Sequence, residues 1–280
     1  MTISSQQLLD FQRELIENEI APSTVRRYLS IAESFAAWVG EREISKQLLL
    51  KWRAELGKNA ATVNVAVSAV NRLLRQLGLS ALKIRHLKVQ NSVYRPENRE
   101  LSKEEYRRLV ATAERSGKLR LARAIETICA LGIRVSELRF MTVEALEKRE
   151  VTITNKGKTR TILVSAELAR KLGAYCREKG IRSGCIFITR TGKALPRTQL
   201  WAEMKRLCKA AGVEASKVFP HNLRHLFAVT HYRLHKDVVR LADLLGHSSV
   251  NTTRIYLKTS GLEHRKELEA LGLLLIEPAA

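Results

Sequence analysis

Aspartate is almost missing from this chain: Asp10, Asp237 and Asp243 are the whole complement in 280 residues. A nuclease centre built on metal ions held between aspartates is therefore disfavoured. Cysteine is sparse as well. Cys129, Cys176, Cys185 and Cys208 stand far apart, with no C-x-x-C pair and no Cys/His cluster, so no zinc site is expected. Cys129 and Cys208 fall beside apolar residues in helical patterns and read as plain buried thiols, which suits a reducing cytoplasm. Long apolar runs are missing too. The late run Leu273–Ile276 is too short to cross a bilayer, and the opening MTISSQQLLDFQREL has no cationic segment followed by an apolar core. The expectation is a soluble cytoplasmic protein with no membrane partner, no metal and no cofactor.

Acidic residues are outnumbered. Lys and Arg total 49 against 28 Asp and Glu, a formal charge of +21, and both halves of the chain share the excess. Such a balance favours polyanionic partners, nucleic acid first, although ribosomal and membrane-surface proteins are basic too.

The length predicts two domains with ample core. Residues 1–80 read as a bundle of about four helices, over 5–18, 22–40, 45–56 and 60–77. The last has the clearest stripe, with Val63, Val67, Val70, Leu73, Leu74 and Leu77 on one face. The polar faces carry Arg26, Arg27, Lys51, Arg72 and Arg75. Charged helix faces are usually only solvated, and the shared sign is what raises them to DNA-contact candidates. Over residues 81–99 periodicity fades while Lys83, Arg85, Lys88, Arg95 and Arg99 accumulate, the pattern of a basic linker lying along a phosphate backbone. Residues 100–260 form the second domain, opened by a capping box at Ser102 and Glu105. Leu119–Leu131 reads as a buried helix stopped by Gly132. Residues 151–164 alternate around Asn155-Lys156-Gly157-Lys158, a β-hairpin, and Cys185–Thr189 reads as a short strand. Helices are expected over about 165–179 and 196–211. The fold class is mainly α (α+β): a four-helix bundle, then a mostly helical domain with a small antiparallel sheet. Residues 261–280 form a tail with an apolar end that either covers its own domain or docks onto another copy.

The chemistry concentrates between Phe219 and Tyr256. Pro220 suits a first helical turn, which sets His221 and Arg224 three apart on one face. Gly246 stops a later apolar helix, His247 follows at the bend, and Ser248 or Ser249 can cap a short helix carrying Tyr256. A guanidinium, imidazoles and a phenol without carboxylates suit an anionic substrate, most simply a phosphodiester attacked by tyrosine. Taken singly, each residue has a plainer reading: Tyr256 as core, His247 as a helix-end cap, a hairpin lysine as solvent-facing. His225, His231 and His235 are spaced six and four apart but lack an HExxH arrangement, so no metal helix is inferred.

The run LGHSSVNTTRIY, preceded by HNLRH, resembles the C-terminal boxes of the tyrosine recombinase (phage integrase) family, and Gly132-Ile133-Arg134-Val135-Ser136-Glu137-Leu138 matches its upstream arginine motif. Lys156 in NKGKTR corresponds to its hairpin lysine. Leu131 departs from the small hydroxyl residue often found before that glycine. The resemblance implies a compact, Xer-like or transposon- or integron-type recombinase acting on double-stranded DNA recombination sites. Tyr256 would be the nucleophile forming a 3′-phosphotyrosine, Arg134 and Arg224 the phosphate clamp, and His221 a base or a phosphate ligand. His247 would donate to a phosphoryl oxygen and Lys156 would protonate the leaving 5′ oxygen, with Lys158 as its competitor. Glu137 and His225 would support them, and Lys158 and Arg160 would add DNA contacts. The first domain would be the family's core-binding domain, and the assembly a homo-tetramer on two sites, monomeric or weakly associated off DNA, with the tail exchanged between protomers. A type IB topoisomerase-like enzyme and a catalytically silent accessory DNA-binding protein are the alternatives.

Overall fold

A computed structural model describes residues 3–57, 59–89, 100–155, 157–257, 265, 268–271 and 273. The chain divides into two compact units, residues 1–91 and 92–280.

In the first unit, local capping starts each helix where the sequence supplies an oxygen. Ser4 and Gln7 form a reciprocal box at the head of α1 (Ser5–Glu17). Pro22 opens α2 (Pro22–Val39), which ends at Gly40 with φ 57°. Ser45 caps α3 (Lys46–Glu55) and Asn59 caps α4 (Ala60–Gln76). The apolar stripe of α4 is the hub of the core: Val67, Val70, Leu73 and Leu74 are fully buried against Phe11, Leu15, Phe35 and Leu49. Phe35 meets Trp52 edge-on at 5.0 Å.

Two expectations for this unit change. Arg72 is not a free surface cation: its Nε and Nη2 donate to Glu14 at 3.0 and 3.1 Å, half-buried, and so tie α4 to α1. The expected linker also starts later than residue 81. Beyond a turn of 3₁₀ helix at Ser80–Leu82, the chain runs along α4 and is held there by asparagines. Asn71 donates to the Ile84 carbonyl at 2.8 Å and accepts from its N–H at 3.0 Å; Asn64 does the same for Leu87 at 2.9 and 2.7 Å. Each amide presents one donor and one acceptor, as a neighbouring strand would. Ile84 is buried by the arrangement.

The second unit is built around α6 (Leu119–Leu131), whose Leu121, Ala122, Ala124, Ile125, Thr127 and Ile128 are all buried. A helix apolar on nearly every side must be enclosed. It is enclosed by α5 (Lys103–Arg115), α8 (Ala166–Glu178), α9 (Arg197–Ala211) and α10 (Pro220–His235). After α6 come a 3₁₀ stretch Val135–Phe140, the short α7 (Val143–Lys148) and the hairpin of β1 (Glu150–Asn155) and β2 (Lys158–Leu163). In its antiparallel register Val151 faces Ile162 and Ile153 faces Arg160, with Val151, Ile153 and Ile162 turned inward. The strand expected at Cys185–Thr189 does not form. Single bridges join Thr142 to Cys185 and Ile188 to Ala194, because its backbone bonds are divided between Met141 and the turn at 187–195. The chain ends its described core with α11 (Val238–Leu245), stopped by Gly246, and α12 (Val250–Thr253), capped by Ser249 and continued as 3₁₀ helix Arg254–Leu257. Among the described residues no helix is long and apolar enough to cross a membrane.

Asn71→Ala removes both tethers of Ile84 and strands a buried backbone pair. A loss of about 1–3 kcal/mol in unfolding free energy is expected, read from the fluorescence of Trp38 and Trp52, which lie in this unit. A change below about 0.5 kcal/mol, the scale of a neutral surface substitution, would show that the asparagine contacts do not hold the segment.

Candidate active site

Arg224 stands at the centre of the site and is the largest fully buried side chain, 1% exposed. Among the described residues no carboxylate forms an ion pair with it. Its Nη1 donates to the Gly132 carbonyl at 2.7 Å and its Nη2 to the Leu245 carbonyl at 2.7 Å, the C-terminal ends of α6 and α11. Helix ends leave carbonyls without intrahelical partners and carry partial negative charge, so they hold a cation without cancelling it. Both ends are made by glycines in the left-handed region, φ 61° at Gly132 and 64° at Gly246. At Gly132 a Cβ would also collide with the Phe227 ring, and at Gly246 it would lie 2.5 Å from Arg160 Nη1. Burial, then the nearby Arg134 charge, push Arg224 below its ordinary pKa, while the Tyr256 hydroxyl beside it acts in the opposite sense. Guanidinium remains charged all the same.

Tyr256 is buried. Its ring lies parallel to His247 at 5.8 Å and tilted against His221 at 5.9 Å and His225 at 5.3 Å, and its hydroxyl is 3.4 Å from His221 Nε2. His221 occupies the exposed first turn of α10, where the helix end favours anions. His225, one turn further in, is buried with Glu100 at 4.0 Å from its Nε2. His247 has its Nε2 at 2.9 Å from Arg224 Nη2 and its Nδ1 at 2.8 Å from Thr253 Oγ1. Burial, followed by the charges of Arg224, Arg134 and Arg160, lowers its pKa to about 4. The ring is thus neutral at physiological pH.

Arg134 is oriented from below. The Glu137 side chain, 1% exposed, accepts from the Arg134 backbone N–H at 2.7 Å and from its Nη1 at 2.9 Å. The same carboxylate accepts from Arg160 Nη1 and Nη2 at 3.2 and 2.8 Å. Arg134 itself stays 35% exposed along its side chain. Burial alone would raise the Glu137 carboxyl, but the bonds from Arg160 and from the Arg134 backbone outweigh it and hold the group below its ordinary value. Arg160, expected to contact DNA, is therefore engaged inside the unit. Strand alternation carries the signal for this, since Arg160 shares the inward face with Ile162.

Arg134, Glu137, His221, Arg224, His225, His247 and Tyr256 are thus brought together. Lys156, Arg95 and Arg99 lie outside the described residues, as does the Lys158 side chain. Arg26, Arg27, Lys51, Arg75, Arg85 and Lys88 are exposed on the first unit, and Lys83 is half-buried there. Thr253, fully buried at the heart of the site, was not anticipated. Its signal is the i, i+3 relation to Tyr256, which puts both on one side of a short helix. Among the described residues no group of three His, Cys, Asp or Glu side chains could hold a metal.

Glu137→Gln leaves two guanidiniums around a neutral amide and is expected to cost about 3–5 kcal/mol of stability at neutral pH. A carboxylate with a depressed folded-state pKa contributes stability above the ordinary carboxylate range and loses it as pH falls through the folded value. The gap between wild type and variant should therefore narrow on acidification, measured by denaturant titration from pH 7 to about pH 3. A gap that is constant across that range would contradict the ion-pair account.

The tyrosine recombinase XerA of Thermococcus kodakarensis is 28% identical over 266 residues, 91% of each chain. The fold matches that of the XerH site-specific recombinase bound to difH substrate, with TM-score 0.70 at 21% identity over 94% of this chain and 84% of that one. It also matches a lambda integrase in a tetramer bound to a Holliday junction, with TM-score 0.70 at 18% identity over 90% and 76%. Residues 99–261, more than half of the sequence and all of the site just described, match the phage integrase family as a whole, and the chain belongs to that family.

Proposed function

We propose that this chain is a site-specific DNA recombinase that cuts and rejoins strands through Tyr256. One observation carries the reading: a buried phenol lies beside a guanidinium that is held by two helix-end carbonyls and, among the described residues, by no carboxylate, with an imidazole at 3.4 Å to take its proton. The phenolic oxygen attacks a backbone phosphorus, the bond to the 5′ oxygen breaks, and a 3′-phosphotyrosine remains. Arg224 and Arg134 bind the non-bridging oxygens, whose charge grows in the transition state; forked, permanently charged donors suit that task better than a lysine. His221 accepts the phenolic proton or holds the phosphate, and Lys156 protonates the departing 5′ oxygen. A free 5′ hydroxyl from a partner strand then reverses the step. The phosphoester bond is kept in the protein link, so no ATP is consumed.

The rest of the chain fits around that step. The basic bundle, residues 1–80, serves as the core-binding domain, and residues 100–260 supply catalysis. Arg26, Arg27, Lys51, Arg75, Lys83, Arg85, Lys88, Arg95, Arg99 and Lys158 contribute phosphate contacts on double-stranded recombination sites. Four protomers act on two sites, with residues 261–280 exchanged between neighbours, in the cytoplasm.

Nicked duplexes drawn from DNA flanking the gene trap the intermediate, because the short 5′ fragment diffuses away. Wild-type protein is expected to form a covalent adduct and Tyr256→Phe none. Arg224→Lys should slow adduct formation by about 10²–10³, the effect of losing one preorganised transition-state donor. An adduct formed by Tyr256→Phe would refute the nucleophile, and plasmid relaxation without recombinant products would refute strand exchange.

A further inference from the structure

The contacts of His247 fix more than its position. Arg224 is a donor only, so the contact between its Nη2 and His247 Nε2 at 2.9 Å requires that nitrogen to accept, with its lone pair free of a proton. The single proton of the neutral ring then sits on Nδ1, and Thr253 Oγ1 at 2.8 Å receives it. Thr253 is 0% exposed, so its hydroxyl has no water to turn to, and a buried hydroxyl left unbonded would be costly. Both ring nitrogens are thus committed, while the ring face lies parallel to Tyr256 at 5.8 Å.

We propose that Thr253 is a positioning residue that locks His247 in the Nδ1–H tautomer, making Nε2 an acceptor that aims the Arg224 fork and coupling this state to the segment bearing Tyr256. The proposal rests on the assignment of Arg224 and Tyr256 to phosphate chemistry. It reverses the sequence-based expectation for His247: in the free protein its Nε2 orients a guanidinium and does not present a proton to a phosphoryl oxygen. The coupling follows from the chain. Thr253 ends α12 and Tyr256 lies three residues on in the 3₁₀ turn, so displacing the nucleophile also withdraws the acceptor from Nδ1. With the acceptor gone the proton can move to Nε2, where it would oppose the Arg224 N–H.

Histidine-selective ¹⁵N labelling reads the tautomer directly in the full-length protein without DNA. Wild type and Thr253→Ser should show His247 with Nδ1 protonated and Nε2 bare; Thr253→Val, nearly the same size but lacking the oxygen, should show mixed tautomers. In the adduct assay Thr253→Val should be slower by about 10–100-fold, the scale on which a metal-bound histidine loses activity when its outer hydrogen-bond partner is removed, and Thr253→Ser should recover most of the rate. A wild-type His247 with its proton on Nε2 would overturn the proposal, as would a Thr253→Val protein that cleaves like wild type. Should Thr253→Val fail to fold, the wild-type and Thr253→Ser spectra still decide. The tautomer is read without catalysis, so an adduct from Tyr256→Phe would refute the proposed function and leave this measurement standing.

Discussion

A buried guanidinium held by helix ends governs this site. Taking Arg224 out of water carries a penalty of several kcal/mol, and the usual remedy is a carboxylate. Here the remedy is a pair of carbonyls, from Gly132 and Leu245, at the C-termini of α6 and α11. Carbonyl dipoles stabilise the charge without forming a closed ion pair, so the positive potential survives for an incoming anion. That requirement fixes much else. Two helices must end at the same point, each must turn sharply, and each turn needs a left-handed residue without a Cβ, because Phe227 and Arg160 fill the space a side chain would take.

The carboxylate that orients the site's arginines is kept one layer back. Glu137 holds Arg134 and Arg160 together, and its depressed pKa keeps it ionised as their partner. Glu137 is spent on orientation: it accepts from the backbone and side chain of Arg134 while leaving that residue partly exposed. The two arginines proposed to bind a phosphate are therefore held differently, Arg224 by dipoles and Arg134 by a charge. The second arrangement is sensitive to acid and the first is not.

Much of this was legible in the sequence. Apolar stripes gave the helices of both units, Gly132 and Gly246 gave their stops, and the order of motifs from Arg134 to Tyr256 gave the family. What escaped was decided by tertiary context. Arg72 and Arg160 look like surface cations in a list of charges, yet Glu14 and Glu137 capture them from distant parts of the chain. Asn64 and Asn71 look like solvated positions, but their seven-residue spacing matches two turns of helix and lets both clamp one extended segment. The strand expected at Cys185–Thr189 had the right composition and no partner strand to pair with. Thr253 was hidden by its plainness, since only the contact with His247 gives it a role.

The segment that carries Tyr256, the proposed nucleophile, is the least anchored part of the site. α12 is four residues long and relies on one side-chain cap from Ser249, while Val250 and Ile255 remain exposed at 37% and 52%. Its described buried side chains are Thr253 and Tyr256, and both meet His247. Local stability follows buried contacts, so this segment belongs to the part of the unit that opens at the lowest free energy. Arg224 and α6 belong to the part that opens last. In the proposed reaction, a firmly held phosphate clamp beside a weakly held nucleophile would separate two tasks that a single rigid site would combine: binding the backbone, through Arg224, and attacking it, which depends on where a short helix sits. The imidazole between them touches both, and through it the position of that helix bears on the aim of the clamp.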